Sequence, residues 1–173
     1  MVAASDTTSA FICPFVNYVT QNPHVSSKLV EEISDFERKG LLSDPVVKYD
    51  ETNRMPYFMA CVKETLRYSP STPMIMPRYV SKGGTTLNGT FVPEKTEIGA
   101  NPYVVHRDTT IYGADAHIFR PERWLENDEK SKTMDKYLMS FGYGTRVCLG
   151  KNIAQLETQK LCCQVRRSFS ALS

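Results

Sequence analysis

Residues 141 to 150 carry the sharpest chemistry in the chain: Phe141-Gly142-Tyr143-Gly144-Thr145-Arg146-Val147-Cys148-Leu149-Gly150, which fits the spacing F-x-x-G-x-R-x-C-x-G. A thiolate that is to bond iron at the centre of a flat macrocycle must come up under the ring on a tight loop. Gly144 and Gly150 permit the close approach and the unusual backbone angles such a loop needs. Cys148 falls just ahead of an expected helix, where free backbone N–H groups and the positive dipole end favour a thiolate. Arg146 suits a forked, charge-assisted contact with a carboxylate of the ring. Phe141 can cover the sulfur side and limit water, which tunes a metal's potential. The competing reading is a structural cysteine buried in a glycine-rich turn. Five fixed positions matched within ten residues weigh against it.

Other groups of interest lie upstream. Glu64-Thr65-Leu66-Arg67 sets an acid and a guanidinium three apart, on one helical face where they can pair. Such pairs are common, and this one gains weight from Phe119-Arg120-Pro121-Glu122-Arg123-Trp124 further along. Ser69-Pro70-Ser71-Thr72-Pro73 leads through Met76 and Pro77 to Arg78, a charge that reads either as a ligand contact or as an ordinary strand-edge residue. His106-Arg107-Asp108 reads as local hydrogen bonding rather than a metal-ligand set. Near the start, Ala3-Ala4-Ser5-Asp6-Thr7-Thr8 places an acid beside a hydroxyl. Asp6 next to Thr7 can relay protons and hold a water, although the same residues also suit a helix cap.

These groups need elements to position them. Residues 1 to about 21 have Phe11, Phe15 and Tyr18 or Val19 at helical spacing, with Pro14 expected to kink or interrupt the helix. Asn22-Pro23 predicts a capped start for a second helix, striped by Val25, Leu29, Ile33 and Phe36 and ended by Gly40. A third runs from about Pro56 to Tyr68, stopped by Ser69-Pro70. Short strands follow over 77–80, 85–87, 90–92 and 97–100, with Asn88-Gly89 as a type I′ hairpin turn. A short helix is expected over Tyr103 to Arg107. Asp108 to Phe141 reads as irregular, a length that normally marks function. A last helix is expected from about Leu149 to Arg167, with Ile153, Leu156, Leu161 and Val165 on or near one side.

Composition narrows the class. In 173 residues, 41% hydrophobic and 23% charged, there is enough apolar material for one core and no mark of disorder. The net charge of +2 is scattered, which argues against nucleic acid as a partner. No apolar run reaches the ~18 residues of a membrane span, and Met1 to Asp6 lacks the basic flank and apolar core of a signal peptide. The five cysteines, Cys13, Cys61, Cys148, Cys162 and Cys163, show no zinc-type spacing and point to a reducing compartment.

Taken in order, these motifs resemble the C-terminal, haem-binding part of the cytochrome P-450 superfamily of haem-thiolate monooxygenases. The wording from Asn101 to Ile153 is similar to fungal enzymes of the pisatin-demethylase-like group. The resemblance implies a mainly α fold with a small β-sheet (α+β), the whole of 1–173 forming one incomplete cytochrome P-450 domain. It implies haem b with Cys148 as axial ligand to the iron, and with Arg78, Arg146, Phe141, Gly144 and Gly150 around it. Thiolate ligation pushes electron density onto iron and favours O–O cleavage. Arg123 would complete a buried structural network with Glu64 and Arg67, and Asp6 and Thr7 would supply protons. The implied reaction inserts one atom of O2 into a small apolar organic substrate and reduces the other to water. Electrons would come from an NADPH-dependent reductase.

The chain departs from the family's pattern in ways that carry their own expectations. The family's N-terminal half is absent, with its membrane anchor and pocket roof, so endoplasmic-reticulum attachment on the cytosolic face belongs to an intact relative. Ala4 replaces the usual glycine, and no closing strands follow the last helix. A cleft lacking one wall would expose apolar surface. The alternative function is therefore a truncated, non-catalytic remnant that binds haem weakly or not at all; a peroxygenase or isomerase on the same fold is a third reading.

Overall fold

The computed structural model describes residues 2–170. Helix α1 (Val2–Gln21) runs unbroken through Pro14, contrary to the expected interruption. A proline in a helix interior costs about 3 kcal/mol. Phe11, Phe15 and Val19 are all buried on one face of α1. Each such side chain contributes about 1.5–3 kcal/mol, so packing outweighs the lost hydrogen bond. Helix α2 (Pro23–Arg38) buries Val25, Leu29 and Ile33. Asn22 occupies its N-cap position but does not cap it. The Asn22 side chain instead donates Nδ2–H to the Tyr18 carbonyl of α1 at 2.7 Å.

After a one-turn helix α3 (Tyr49–Thr52), helix α4 (Pro56–Tyr68) takes the centre of the fold. Its first turn is capped from another helix: Glu32 of α2 accepts from the backbone N–H groups of Tyr57 (2.8 Å) and Phe58 (2.7 Å). One side of α4 (Phe58, Cys61, Val62) packs into a core with α1, α2, Cys162 and Cys163. Its other side, at Ala60, meets a second core of Tyr112, Ala116, Trp124 and Met134. With apolar packing on both flanks, any charge on α4 between them must be paired.

Strand β1 (Met76–Tyr79) pairs antiparallel with β4 (Glu97–Ala100), and β2 (Thr85–Leu87) with β3 (Thr90–Val92). There are thus two small two-stranded sheets rather than one. The expected hairpin turn is present, with φ of 47° at Asn88 and 79° at Gly89. Short helices α5 (Pro102–Val105) and α6 (Thr109–Tyr112), a 3-10 turn over Pro121–Trp124 and helix α7 (Asp128–Tyr137) follow. The stretch read as irregular therefore holds a ten-residue helix. Only Met134 of α7 is buried, so no apolar period announces it. Its signals are polar: Asn127 caps it by accepting from Lys130 N–H at 2.9 Å, with Asp128 and Glu129 in the first turn and Lys136 in the last.

Helix α8 (Lys151–Ser170) closes the described chain. The apolar stripe read from its sequence lies outward: Ile153, Leu156 and Leu161 are 44–65% exposed. The buried face is Thr158, Gln159, Cys162 and Cys163, four residues at helical spacing whose polar members conceal the pattern. Gln159 is accounted for by Thr52, whose hydroxyl donates to its Oε1 at 3.1 Å. Among the described residues, no helix is long and apolar enough to cross a membrane.

Candidate functional site

The cysteine loop is closed at its base by one backbone bond, Cys148 N–H to the Phe141 carbonyl at 2.8 Å. Gly142 and Gly144 make the turns, with φ of 72° and 64°, and a 3-10 turn over Gly144–Arg146 carries the chain back. Gly150 has no positive φ, so the sequence reading misplaced the second flexible glycine, which is Gly142. A Cβ built at Gly150 would lie 3.8 Å from Cys148 Sγ, an ordinary contact. A Cβ at Gly144 meets nothing within 4 Å, leaving only the left-handed backbone to penalise it, by about 1–2 kcal/mol. Gly144→Ala should therefore lower the unfolding free energy from urea titration by that much, and Gly150→Ala should stay within about 0.5 kcal/mol of the parent. Equal losses in the two variants would refute this account of the loop.

Cys148 is exposed at the loop's end, not packed into a core. It opens on a mostly apolar cavity of about 570 Å³. Ala4, Thr7, Thr8 and Phe11 of α1 form one wall, with Val62 and Leu66 of α4 behind. Ser71, Thr72 and Met76 border it from the proline-rich segment. Phe141, Gly142, Arg146, Cys148 and Gly150 belong to the loop side, and Ile153, Ala154, Gln155, Glu157 and Thr158 of α8 complete the lining. Ser71 donates its hydroxyl to the Thr7 carbonyl at 3.0 Å, tying the proline-rich segment to α1. Among the described residues, no group of three or more His, Cys, Asp or Glu side chains could hold a bare metal ion. Cys148 offers one donor, so iron bound here has to bring its other ligands with it. A porphyrin does that, and an apolar cavity with one thiol and one guanidinium at its edge suits its ring and carboxylates.

Behind the loop, Glu64, Arg67 and Arg123 pair in full burial. Arg67 grips Glu64 with a fork, Nε to Oε2 at 2.9 Å and Nη2 to Oε1 at 2.7 Å. Arg123 Nε (3.1 Å), the Arg120 backbone N–H (2.8 Å) and Trp124 Nε1 (2.9 Å) donate to the same carboxylate. The remaining guanidinium hydrogens go to the carbonyls of His106, Ala116 and Ile118 from Arg67, and to Tyr112, Asp115 and Ile118 from Arg123. Arg123 also reaches Asp115 Oδ1 at 2.8 Å. The two guanidiniums beside Asp115, Arg123 and Arg120, hold its carboxyl down to about 2 against the cost of burial. Every buried charge in this cluster has partners, the condition under which such charges are tolerated.

The cavity gathers Cys148, Arg146, Phe141, Gly150 and Thr7 from the sequence-predicted set. It does not gather all of them. Asp6 is exposed on α1, and Arg78 is exposed on β1, donating Nη1–H to the Pro77 carbonyl at 2.7 Å; neither lines the cavity. His106 and Asp115 gave no strong sequence signal. Asp115 sits in a turn, and His106 is fully buried, its triplet having suggested only local bonds. Asp108 does bond locally, capping α6 through Thr110 N–H, whereas Arg107 bonds both nearby, Nη1 to the Tyr103 carbonyl at 3.3 Å, and across the fold, Nη2 to the Tyr68 carbonyl of α4 at 2.8 Å.

The family model described as cytochrome P-450 matches residues 1–172. A cytochrome P-450 monooxygenase of Emericella nidulans is 42% identical over 159 residues, covering 92% of this chain and 32% of that protein. Pisatin demethylase of Fusarium vanettenii is 38% identical over 167 residues, covering 96% of this chain and 31% of its own length. A cytochrome P-450 monooxygenase of Alternaria alternata is 35% identical over 170 residues, covering 98% and 45%. The chain thus spans a third to a half of the length of these relatives, all of them fungal as the wording of residues 101–153 suggested. Because the match runs through α1, the Glu64 cluster and the cysteine loop alike, the chain belongs to the cytochrome P-450 family.

Proposed function

We propose that the chain is the haem-binding part of a haem-thiolate monooxygenase, with Cys148 Sγ as the axial ligand to iron. The observation that carries this reading is the exposure of that sulfur to an apolar cavity beside Arg146 and Phe141. Haem b, when bound, supplies the reductive activation of O2 that places one oxygen atom in a small apolar organic substrate and sends the other to water, with electrons from an NADPH-dependent reductase.

The protein's own groups have narrower tasks. Cys148 supplies the anionic sulfur, and Phe141 shields it from water. Arg146 has no carboxylate partner among the described residues, so its charge is available to one propionate. Arg78, two residues beyond the cavity-lining Met76, is assigned the other. Thr7 stands on the α1 wall, and its hydroxyl is assigned the last proton transfer, with Asp6 taking protons from solvent one residue earlier. Glu64, Arg67 and Arg123 hold the frame on which the loop is mounted. Val62, Leu66 and Phe11 keep the cavity dry.

Reconstituting the chain with haem, reducing it and adding carbon monoxide tests the assignment. The expected spectrum is the red-shifted band of thiolate ligation, present in the parent and lost in Cys148→Ala. A histidine-type spectrum in the parent, or the same band in the variant, rejects Cys148 as the ligand.

A further inference from the structure

We propose that His106 is a positioning residue that bolts the root of the cysteine loop to α4 through its two ring nitrogens. His106 Nδ1 lies 3.0 Å from the Arg67 carbonyl, and Met139 N–H donates to His106 Nε2 at 2.8 Å. A carbonyl can only accept and an N–H can only donate. The ring is therefore the neutral tautomer with its proton on Nδ1, donating to α4 and accepting from the loop. One residue further on, Ser140 donates its hydroxyl to the Leu66 carbonyl at 2.6 Å. Consecutive residues Met139 and Ser140 are thus fastened to consecutive carbonyls near the end of α4. The next residue, Phe141, accepts the backbone bond from Cys148 that closes the loop.

The ring is fully buried and leaves little room for another arrangement. Tyr112 of α6 stands edge-on to it at 6.1 Å. The charged groups facing it are Arg67 of α4 and Arg107 of its own segment, both cations. Burial first, then these guanidiniums, hold its pKa down to about 4, against the pull of the Arg67 carbonyl. A protonated ring would turn Nε2–H against Met139 N–H, two donors facing each other. The same His106 backbone carbonyl accepts from Arg67 Nη1 at 2.7 Å, so the bolt is continuous with the Glu64 cluster. Movement of that cluster is passed to the sulfur loop by a path of hydrogen bonds.

The role for the sulfur rests on the reading of Cys148 given above; the bolt itself does not. Amide hydrogen exchange on the whole chain, without haem, addresses the bolt. Replacing the ring by one of like size without polar atoms, His106→Phe, should speed exchange at Met139 by roughly tenfold, the worth of one hydrogen bond, with Arg123 N–H unchanged. His106→Gln, whose amide offers both a donor and an acceptor, should bring Met139 back to within about threefold of the parent. Unchanged exchange in His106→Phe, or equal acceleration in both variants, overturns the proposal, because ring packing rather than the two bonds would then hold the loop. Should His106→Phe fail to fold, the nitrogen-15 spectrum of the parent ring decides: protonation at Nε2 instead of Nδ1 sinks it. With haem added, His106→Phe should retain haem yet lose part of the red-shifted carbonyl band. A parent that shows no such band removes the Cys148 assignment while leaving the exchange result standing.

Discussion

Glu64→Gln is expected to cost the fold about 3–5 kcal/mol, the range for breaking a buried ion pair by removing one partner. The carboxylate accepts five hydrogen bonds, from Arg67 Nε and Nη2, the Arg120 N–H, Arg123 Nε and Trp124 Nε1. An amide keeps one acceptor oxygen and turns an NH2 group toward donors that already point inward. Arg67 suffers most, since among the described residues Glu64 is its only charged partner and its other acceptors are backbone carbonyls. Arg123 retains Asp115. A domain with a total stability of about 5–15 kcal/mol cannot lose this much without a large shift in its unfolding midpoint. Asp115→Asn should be milder, because its side chain is 30% exposed and water can reach the vacated guanidinium. Urea unfolding of the two variants gives the comparison. An unfolding free energy for Glu64→Gln within about 0.5 kcal/mol of the parent's would falsify the view that α4 depends on this charge.

The same cluster shows how far the sequence could be read. Glu64 and Arg67 were legible as a possible pair from their spacing on one helical face, whereas Arg123, 59 residues away from Glu64, was joined to them only by the family resemblance. The four strands and the Asn88-Gly89 turn were legible because positive φ restricts the residues that serve there. The interruption expected at Pro14, the missed α7 and the misplaced face of α8 share one reason: local rules were asked to decide what tertiary packing decides. Three buried side chains overrule a proline in α1. A single buried methionine leaves α7 with no period to detect. In α8 the inward face is built from Thr158, Gln159 and two cysteines, so the eye follows the leucines, which face out. His106 was invisible for a different reason. Its value lies in joining Arg67 to Met139, two positions far apart in the chain, and no spacing rule connects them.

Acid should unfold the chain in two stages, and the first belongs to His106. Its pKa falls from 6.5 to about 4 on folding, so between those values the unfolded chain binds a proton that the folded chain refuses. Stability therefore rises with pH across that window: the contribution is complete above pH 6.5 and lost on descent to about 4. At about 1.4 kcal/mol per pKa unit this amounts to about 3 kcal/mol. The second stage comes from Glu51, Asp115 and Glu122, each held down to about 2. Backbone N–H groups and Ser43 do this for Glu51, the guanidiniums do it for Asp115, and a backbone N–H, Lys28 and Tyr57 do it for Glu122. Their stabilisation is present above the ordinary carboxylate range and is lost as pH falls from there toward 2. Glu32 runs the other way, because burial raises its pKa and acid relieves the charge, which softens the join between the stages. Urea midpoints measured from pH 8 to pH 3 should trace both slopes in the parent. In His106→Gln, which cannot take up a proton in this range, the slope from pH 6.5 to 4 should flatten while the lower one survives. An unchanged upper slope in that variant would mean that some other group, not the buried His106 imidazole that follows α5, governs the first step of acid unfolding.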